Sequence, residues 1–396
     1  MRDDAIAVRL DLEGFRVIET IEDDDAVTAV VETAVPAGLC RRCGAATLAS
    51  KGRKERQLRD LPVKGKPLWL RWRRRCFRCD VCGHRFVEHH ESIPKGVQAT
   101  PRFERYLYDR SRPGLIPLSQ LARTERVSFY RAQRAHTRGT AGDLDGAVAV
   151  PTRLAVDEAS FKRGQDYNTV ISAPELGRPI ELVRGRDGVG FAVWAGMLDE
   201  EFRNQIRAVT VDLWVPFHQV IRAAFPGAAI VADKFHVIRH AILALDRVRR
   251  MRQRESRRDW RGRLFKSRFL LLRNRETLTD EQAARLKALL VDEGRLRTAW
   301  GLKEDLRAIY RINDPAWARR RLRDWCRRAQ ESGLEPFADV ARMIGRFEEE
   351  ICNYFEHRIT NAYAEGVTNK IKCIKRIGFG YRNFDRFRER VLVACL

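Results

Sequence analysis

Apolar and polar positions alternate at the start of the chain. FRVIETI (residues 15–21) and AVTAVVETAV (26–35) place hydrophobic residues at about every second position, on either side of the acidic turn EDDD. Both read as half-buried strands. A further strand is expected in GKPLWLRWRRRCF (65–77). The period then lengthens. Residues 99–137 read as helices, and LSQLARTERVSFYRAQRAH (118–136) predicts one from Leu118 to Arg123, a short turn, and a second beginning after Val127 with Ser128 as its N-cap. TRGTAGDLDGAVAVP (137–151), with its glycines and alanines, reads as a linker.

Beyond residue 151 the pattern is that of a buried sheet. RLAVDEASF gives an apolar strand ending in Asp157, and YNTVISAPE and RPIELVRG give two more. After a helical piece, IRAVTVDLW is a strand ending in Asp212. VPFHQVIRAAFPG is an amphipathic helix, and AAIVADKFHVIRH begins with a strand ending in Asp233. The order β-β-β-α-β-α-β is that of the ribonuclease-H-like fold. Residues 239–350 carry apolar positions at spacings of three and four, as in RLKALLVDEGRLRTAWGLKEDL, and read as a long helical insertion with a basic exterior. The expected fold is a multidomain α+β protein: a β-rich zinc-ribbon domain (1–92), a helix-turn-helix region and linker (93–148), and a ribonuclease-H-like catalytic domain (149–396) with an all-helical insertion at about 239–350.

Charge narrows the partners. Lys and Arg total 76 against 53 acidic residues, a formal net charge of +23 and a pI of 10.2. A field of that sign attracts polyanions, and basic segments interleaved with aromatics favour nucleic acid over a membrane surface. Within the helical pair, Ser128, Tyr130, Arg131 and Arg134 are expected to face a DNA groove. In the arginine strand, Arg73, Arg74 and Arg75 are expected on the backbone. No run of eighteen apolar residues is present and the N-terminus lacks a secretory pattern, so a cytoplasmic, nucleoid-associated protein is expected.

Five of nine cysteines lie between Cys40 and Cys82. C-x-x-C knuckles at Cys40/Cys43 and Cys79/Cys82, each followed by Gly, present four thiolates of the kind that Zn²⁺ takes in a structural tetrahedron. Cys76 also lies within reach and could pair with Cys79, although Cys79/Cys82 forms the better knuckle.

Phosphoryl transfer on DNA requires divalent ions held by carboxylates, about 3.5–4 Å apart. Asp157 and Asp212 end strands expected to be neighbours, and Glu365 begins a basic helix that also carries Lys372, Lys375 and Arg376. Asp233, after the fifth strand, is a rival for the second position or a helper.

CRRCG, the arginine run before CDVCGHRF, VDEASF, VDLWVPFHQVI, ADKFHVI and NAYAEGVTNKIKCIKRIGFGYRNFDRFRERVL together resemble the ISL-three family of bacterial insertion-sequence transposases over nearly the whole length. The resemblance implies a DDE transposase that binds the terminal inverted repeats of its own element and cuts and joins DNA with Mg²⁺ or Mn²⁺. By position it implies Asp157, Asp212 and Glu365 as the catalytic, metal-holding residues, with Asp233 and His236 in support. The expected partners are double-stranded DNA, both element ends and target, and a second copy of the chain in the DNA complex. The alternative is a catalytically silent, domesticated DNA-binding regulator. The extra Cys76 departs from the family pattern.

Overall fold

The computed structural model describes residues 10–144, 149–160 and 167–396. The chain divides into two compact units, residues 1–146 and 147–396.

The first unit is built on a five-stranded sheet. β1 (Phe15–Glu22) pairs antiparallel with β2 (Val27–Thr33), and β2 lies parallel to β4 (Lys66–Cys79). β4 forms a long hairpin with β3 (Leu48–Val63) and also pairs with the short β5 (Arg85–Val87). Alternate residues of β2 and β4, among them Ala29, Val31, Leu68, Leu70 and Trp72, make its core. β3 escapes the hydrophobic pattern: its outer half, Lys51 to Glu55, is exposed and charged, so no burial signal marks it. Its cause lies at the turn. Lys64 and Gly65 both adopt positive φ (50° and 78°), the geometry of a two-residue hairpin loop whose twist matches the flanking strands.

Three helices follow: α1 (Pro101–Ser111), α2 (Leu118–Thr124) and α3 (Phe129–Leu144). Phe103, Leu107, Leu121 and Ala135 form their shared core. The Ser128 hydroxyl accepts the Arg131 amide and caps α3, as its position predicts. The predicted linker is corrected: residues 137–144 continue α3, and 145–148 lie outside the described residues. Gly139 is helical here because the Tyr108 ring lies where its Cβ would project, at 2.2 Å, so packing offsets its low helix propensity.

The second unit holds a mixed five-stranded sheet. β6 (Arg153–Ser160), β7 (Tyr167–Ala173) and β8 (Arg178–Arg184) run antiparallel in succession. β9 (Ala208–Val211) lies parallel to β6 on its other side, and β10 (Ala229–Ala232) parallel to β9. The spatial order is therefore β8-β7-β6-β9-β10. Asp157 is interior to β6 rather than at its end: pairing with β7 carries the strand on to Ser160, past the end of β9. Phe161 lies outside the described residues.

Period-two alternation divides the strand residues between the two faces. Leu154, Val156, Val209, Val211 and Ile230 pack with α4 (Val189–Met197), α5 (Glu200–Gln205) and α6 (Val215–Ala224). Near β6 to β8, Ala159, Val170 and Leu182 pack instead with α15 (Ala362–Ile377) and α16 (Phe384–Ala394). The all-helical stretch runs from α7 (Lys234–Glu255) through α8 (Arg258–Lys266), α9 (Arg268–Leu272), α10 (Asp280–Asp292), α11 (Gly294–Ile309), α12 (Pro315–Glu331) and α13 (Glu335–Arg346) to α14 (Glu348–His357). It is not a separate bundle. Its core, with the fully buried Trp325 and Phe337, is continuous with Ala208, Val231 and Ala232 of the sheet. No helix among the described residues is long and apolar enough to cross a membrane.

Candidate active site and metal centre

The four predicted cysteines converge. Cys40 Sγ lies 3.7 Å from Cys82 Sγ, Cys43 Sγ lies 3.6 Å from Cys79 Sγ, and all four sulfurs fall within 4.8 Å of one another. A tetrahedron with Zn–S bonds of about 2.3 Å has edges of roughly 3.8 Å, so the donor set and its spacing fit Zn²⁺. The two knuckles repeat one pattern. Gly44 and Gly83, at φ 76° and 67°, donate their amides to Cys40 O and Cys79 O. The amides of Cys43 and Arg42 stabilise the Cys40 thiolate and bring its pKa down to about 6. Cys76 is not part of the cluster; it sits in β4 opposite Val87, which settles the pairing in favour of Cys79/Cys82.

In the second unit, register aligns the aspartates. Ala155 pairs with Thr210, and Thr210 with Val231. Two residues further along, the same register sets Asp157, Asp212 and Asp233 in one row across β6, β9 and β10, on the face away from α4 to α6. Asp233, fully buried, caps α7: Oδ2 accepts the His236 amide at 3.2 Å, and Oδ1 accepts the Asn361 amide at 3.1 Å. His236 Nδ1 stands between two carboxylates, 2.8 Å from Asp212 Oδ1 and 3.0 Å from Asp233 Oδ2. These partners, Asp212 first, raise its pKa to about 10.

The helix α15 lies along β6. Asn361 Nδ2 donates to Val156 O (3.1 Å), the Thr368 hydroxyl to Asp157 Oδ2 (2.8 Å), and Lys375 Nζ to Ser160 O (2.8 Å). At 3.6 residues per turn, positions 361, 365, 368, 372 and 375 share a face about 80° wide, so Glu365 and Lys372 flank the same contact stripe. Glu365 is exposed there. Asp157 is half-buried, and burial is the main cause of its raised pKa, opposed by the Thr368 hydroxyl and the Glu158 amide; the charge of Asp212 raises it further. Among the described residues the cysteines alone form a closed cluster of three or more potential ligands, so Asp157, Asp212 and Glu365 do not make a closed cage here. Asn361, Thr368 and Glu158, whose carboxyl burial also raises, were not singled out by the sequence. The signal available was the spacing of Asn361 and Thr368 around Glu365 at helical period.

A transposase family model of the ISL-three type matches residues 154–391, and a model described as the zinc-finger of transposase IS204/IS1001/IS1096/IS1165 matches residues 36–82. The chain belongs to the ISL-three family of transposases. The transposase for insertion sequence element IS1001 of Bordetella parapertussis is 29% identical over 367 residues, covering 90% of this chain and 88% of its own. The transposase for IS1557 of Mycobacterium tuberculosis, in strains CDC 1551 and H37Rv alike, is 28% identical over 254 residues, covering 58% of this chain and 57% of its own.

In this transposase the side chains expected to meet DNA fall into two groups. Ser128, Tyr130, Arg134, Lys372 and Arg376 are exposed. Others are engaged within the protein. Arg131 pairs with Glu104 at 3.0 Å and Gln98 at 3.1 Å, and Arg73 with Glu55 at 3.3 Å. Arg74 donates to Glu88 O and lies over the Trp72 ring, and burial lowers its pKa. Arg75 is held by the buried Glu32 and Glu88. The β3–β4 register sets Arg53 opposite Arg75 and Lys54 opposite Arg74, and internal carboxylates such as Glu32 offset that like-charge crowding.

Proposed function

We propose that the second unit is a ribonuclease-H-like DDE core that cleaves the ends of its insertion sequence and joins them to target DNA, with Asp157, Asp212 and Glu365 as the carboxylates that hold Mg²⁺ or Mn²⁺. The observation that carries the reading is the alignment of Asp157, in β6, with Asp212, immediately after the adjacent parallel β9, with α15 fastened along β6 through Thr368 and Asp157. The sheet order β8-β7-β6-β9-β10 supports the fold assignment. The donor chemistry fits hard divalent ions: carboxyl oxygens, one raised in pKa by burial and by its acidic neighbour. Bound there, such ions would supply Lewis acidity at the scissile phosphate.

The chain's own residues prepare the site. Thr368 and the Glu158 amide fix both oxygens of Asp157. His236 orients Asp212. Asp233 ties the start of α7 to the turn that leads into α15, and Asn361 ties that turn to β6. Lys372 and Arg376, exposed along α15, are available to a phosphate backbone. In the first unit, α2 and α3 act as the helix-turn-helix that reads the terminal inverted repeats, with Tyr130 and Arg134 outward, beside the zinc ribbon. The active form pairs two copies of the chain with two element ends.

The test is cleavage of a duplex carrying an element end in Mg²⁺ or Mn²⁺. Asp157→Asn and Glu365→Gln are each expected to abolish cleavage while end binding persists. Cleavage by either variant at wild-type rate refutes the carboxylate assignment.

A further inference from the structure

The end of α15 is built at odds with its own stability. Gly380 N donates to Lys375 O and Phe379 N to Arg376 O, each at 3.0 Å, the paired hydrogen bonds of a Schellman C-cap. In that motif the penultimate residue adopts the left-handed conformation and is usually glycine, because a Cβ is strained there. Here the position is Phe379, at φ 53°, with glycines on both sides.

Two other residues with positive φ gain partners: Arg126 pairs with Asp25, and Arg358 donates to the carbonyls of Ile312 and Asn313. Phe379 is 93% exposed and makes no ring contact among the described residues. Its backbone is therefore strained while its ring lies almost wholly in solvent. The loop around it is nonetheless fixed. The Tyr381 ring would lie 2.6 Å from a Cβ on Gly378, and that ring packs on Phe387 at 5.0 Å. The Phe379 side chain projects into solvent beside this packed segment.

We propose that Phe379 is a stacking wedge that receives an unpaired nucleobase of the element end. The ring has the chemistry for a base face, which stacks on aromatics whatever its sequence. Exposed Arg376 and Arg382 flank it, and the same helix carries Thr368 against Asp157. Eleven residues separate Thr368 from Phe379. At about 1.5 Å per residue along the helix, the Phe379 backbone lies roughly 16 Å from that contact, about four to five nucleotides at ~3.4 Å each.

The inference rests on the reading of Asp157, Asp212 and Glu365 as the cleavage site, and the experiment separates the two. Full-length Asp157→Asn protein is bound in Ca²⁺ to element-end duplexes carrying 2-aminopurine at single positions. One position, about four to five nucleotides from the cleaved bond, is expected to brighten, and adding Phe379→Ala should reduce that signal at least about 5-fold. Phe379→Gly, which relieves the strain, should raise the melting temperature by about 2–4 °C while losing the same signal, a combination that a merely structural role does not give. With Asp157 restored, Phe379→Ala should cut a fully paired end at least about 10-fold more slowly, and an abasic nucleotide at the brightened position should bring it back to within about 3-fold of wild type. Bound DNA with no brightened position, a signal that survives Phe379→Ala, or a variant whose sole defect is altered self-association overturns the wedge and leaves the carboxylate assignment standing. Cleavage by Asp157→Asn overturns the carboxylate assignment instead.

Discussion

Asp212 and Asp233 end neighbouring strands in the same row, yet removing them should have opposite consequences. Asp233 has no exposed surface, and its two oxygens accept the amides of His236 and Asn361 as well as the His236 ring nitrogen. Asp233→Ala removes an N-cap, worth about 1 kcal/mol, and strands the amide of the fully buried Asn361, at about 1–3 kcal/mol. The sum is roughly 2–4 kcal/mol. For a unit of this size each kcal/mol moves the midpoint by about 2–4 °C, so the second unit should melt about 5–15 °C lower. Asp212, with 27% of its side chain exposed and one ion pair to His236, has far less to lose. Asp212→Asn, which keeps an oxygen facing His236 and removes the like charge beside Asp157, should lower the midpoint by less than Asp233→Ala does. Activity should order the other way: Asp212→Asn abolishes cleavage with end binding intact, whereas Asp233→Asn, which keeps one acceptor, costs about 10–100-fold. Calorimetry, with chelator added to remove the zinc-dependent transition, reads the stability arm, and end cleavage in Mn²⁺ reads the other. An unchanged midpoint for Asp233→Ala, or substantial cleavage by Asp212→Asn beside a dead Asp233→Asn, would refute the assignment and exchange the two roles.

Two further outcomes follow from the first unit. Zinc content should stay at one per chain in Cys76→Ser and drop to none in Cys40→Ser or Cys79→Ser, with only the latter pair losing the chelator-sensitive melting transition; zinc loss in Cys76→Ser contradicts the cluster geometry. Arg134→Ala should reduce discrimination between an element end and random DNA in a gel-shift titration. Arg131→Ala should chiefly lower the melting temperature, since that guanidinium is already committed to Glu104 and Gln98; the reverse pattern would place Arg131 in the groove.

The sequence alone carried the features that depend on local chemistry. Two C-x-x-C-G knuckles determine a thiolate site wherever the chain runs, because each pair of ligands comes from one tight turn. Ser128 announces the start of α3, since a cap acts within three residues. Apolar runs bounded by turns located β6 to β10, and their order predicted which strands lie side by side. The chain's membership of a transposase family was legible in its motif blocks. Tertiary structure decided what depends on non-local pairing. The charged outer half of β3 is a strand only because β4 supplies its hydrogen bonds. Gly139 and Gly142 of the expected linker are helical, and Tyr108 packs against the first of them. Arginines that read as a DNA-facing run, Arg73 to Arg75, are each half-buried and engaged by Glu55, Glu88 or Glu32, since a sequence shows charge but not the counter-charge folded against it. Asn361 and Thr368 lie more than 200 residues from the strand they hold, and no local pattern joins them to Val156 and Asp157. Only the packing of α15 along β6 brings those residues together.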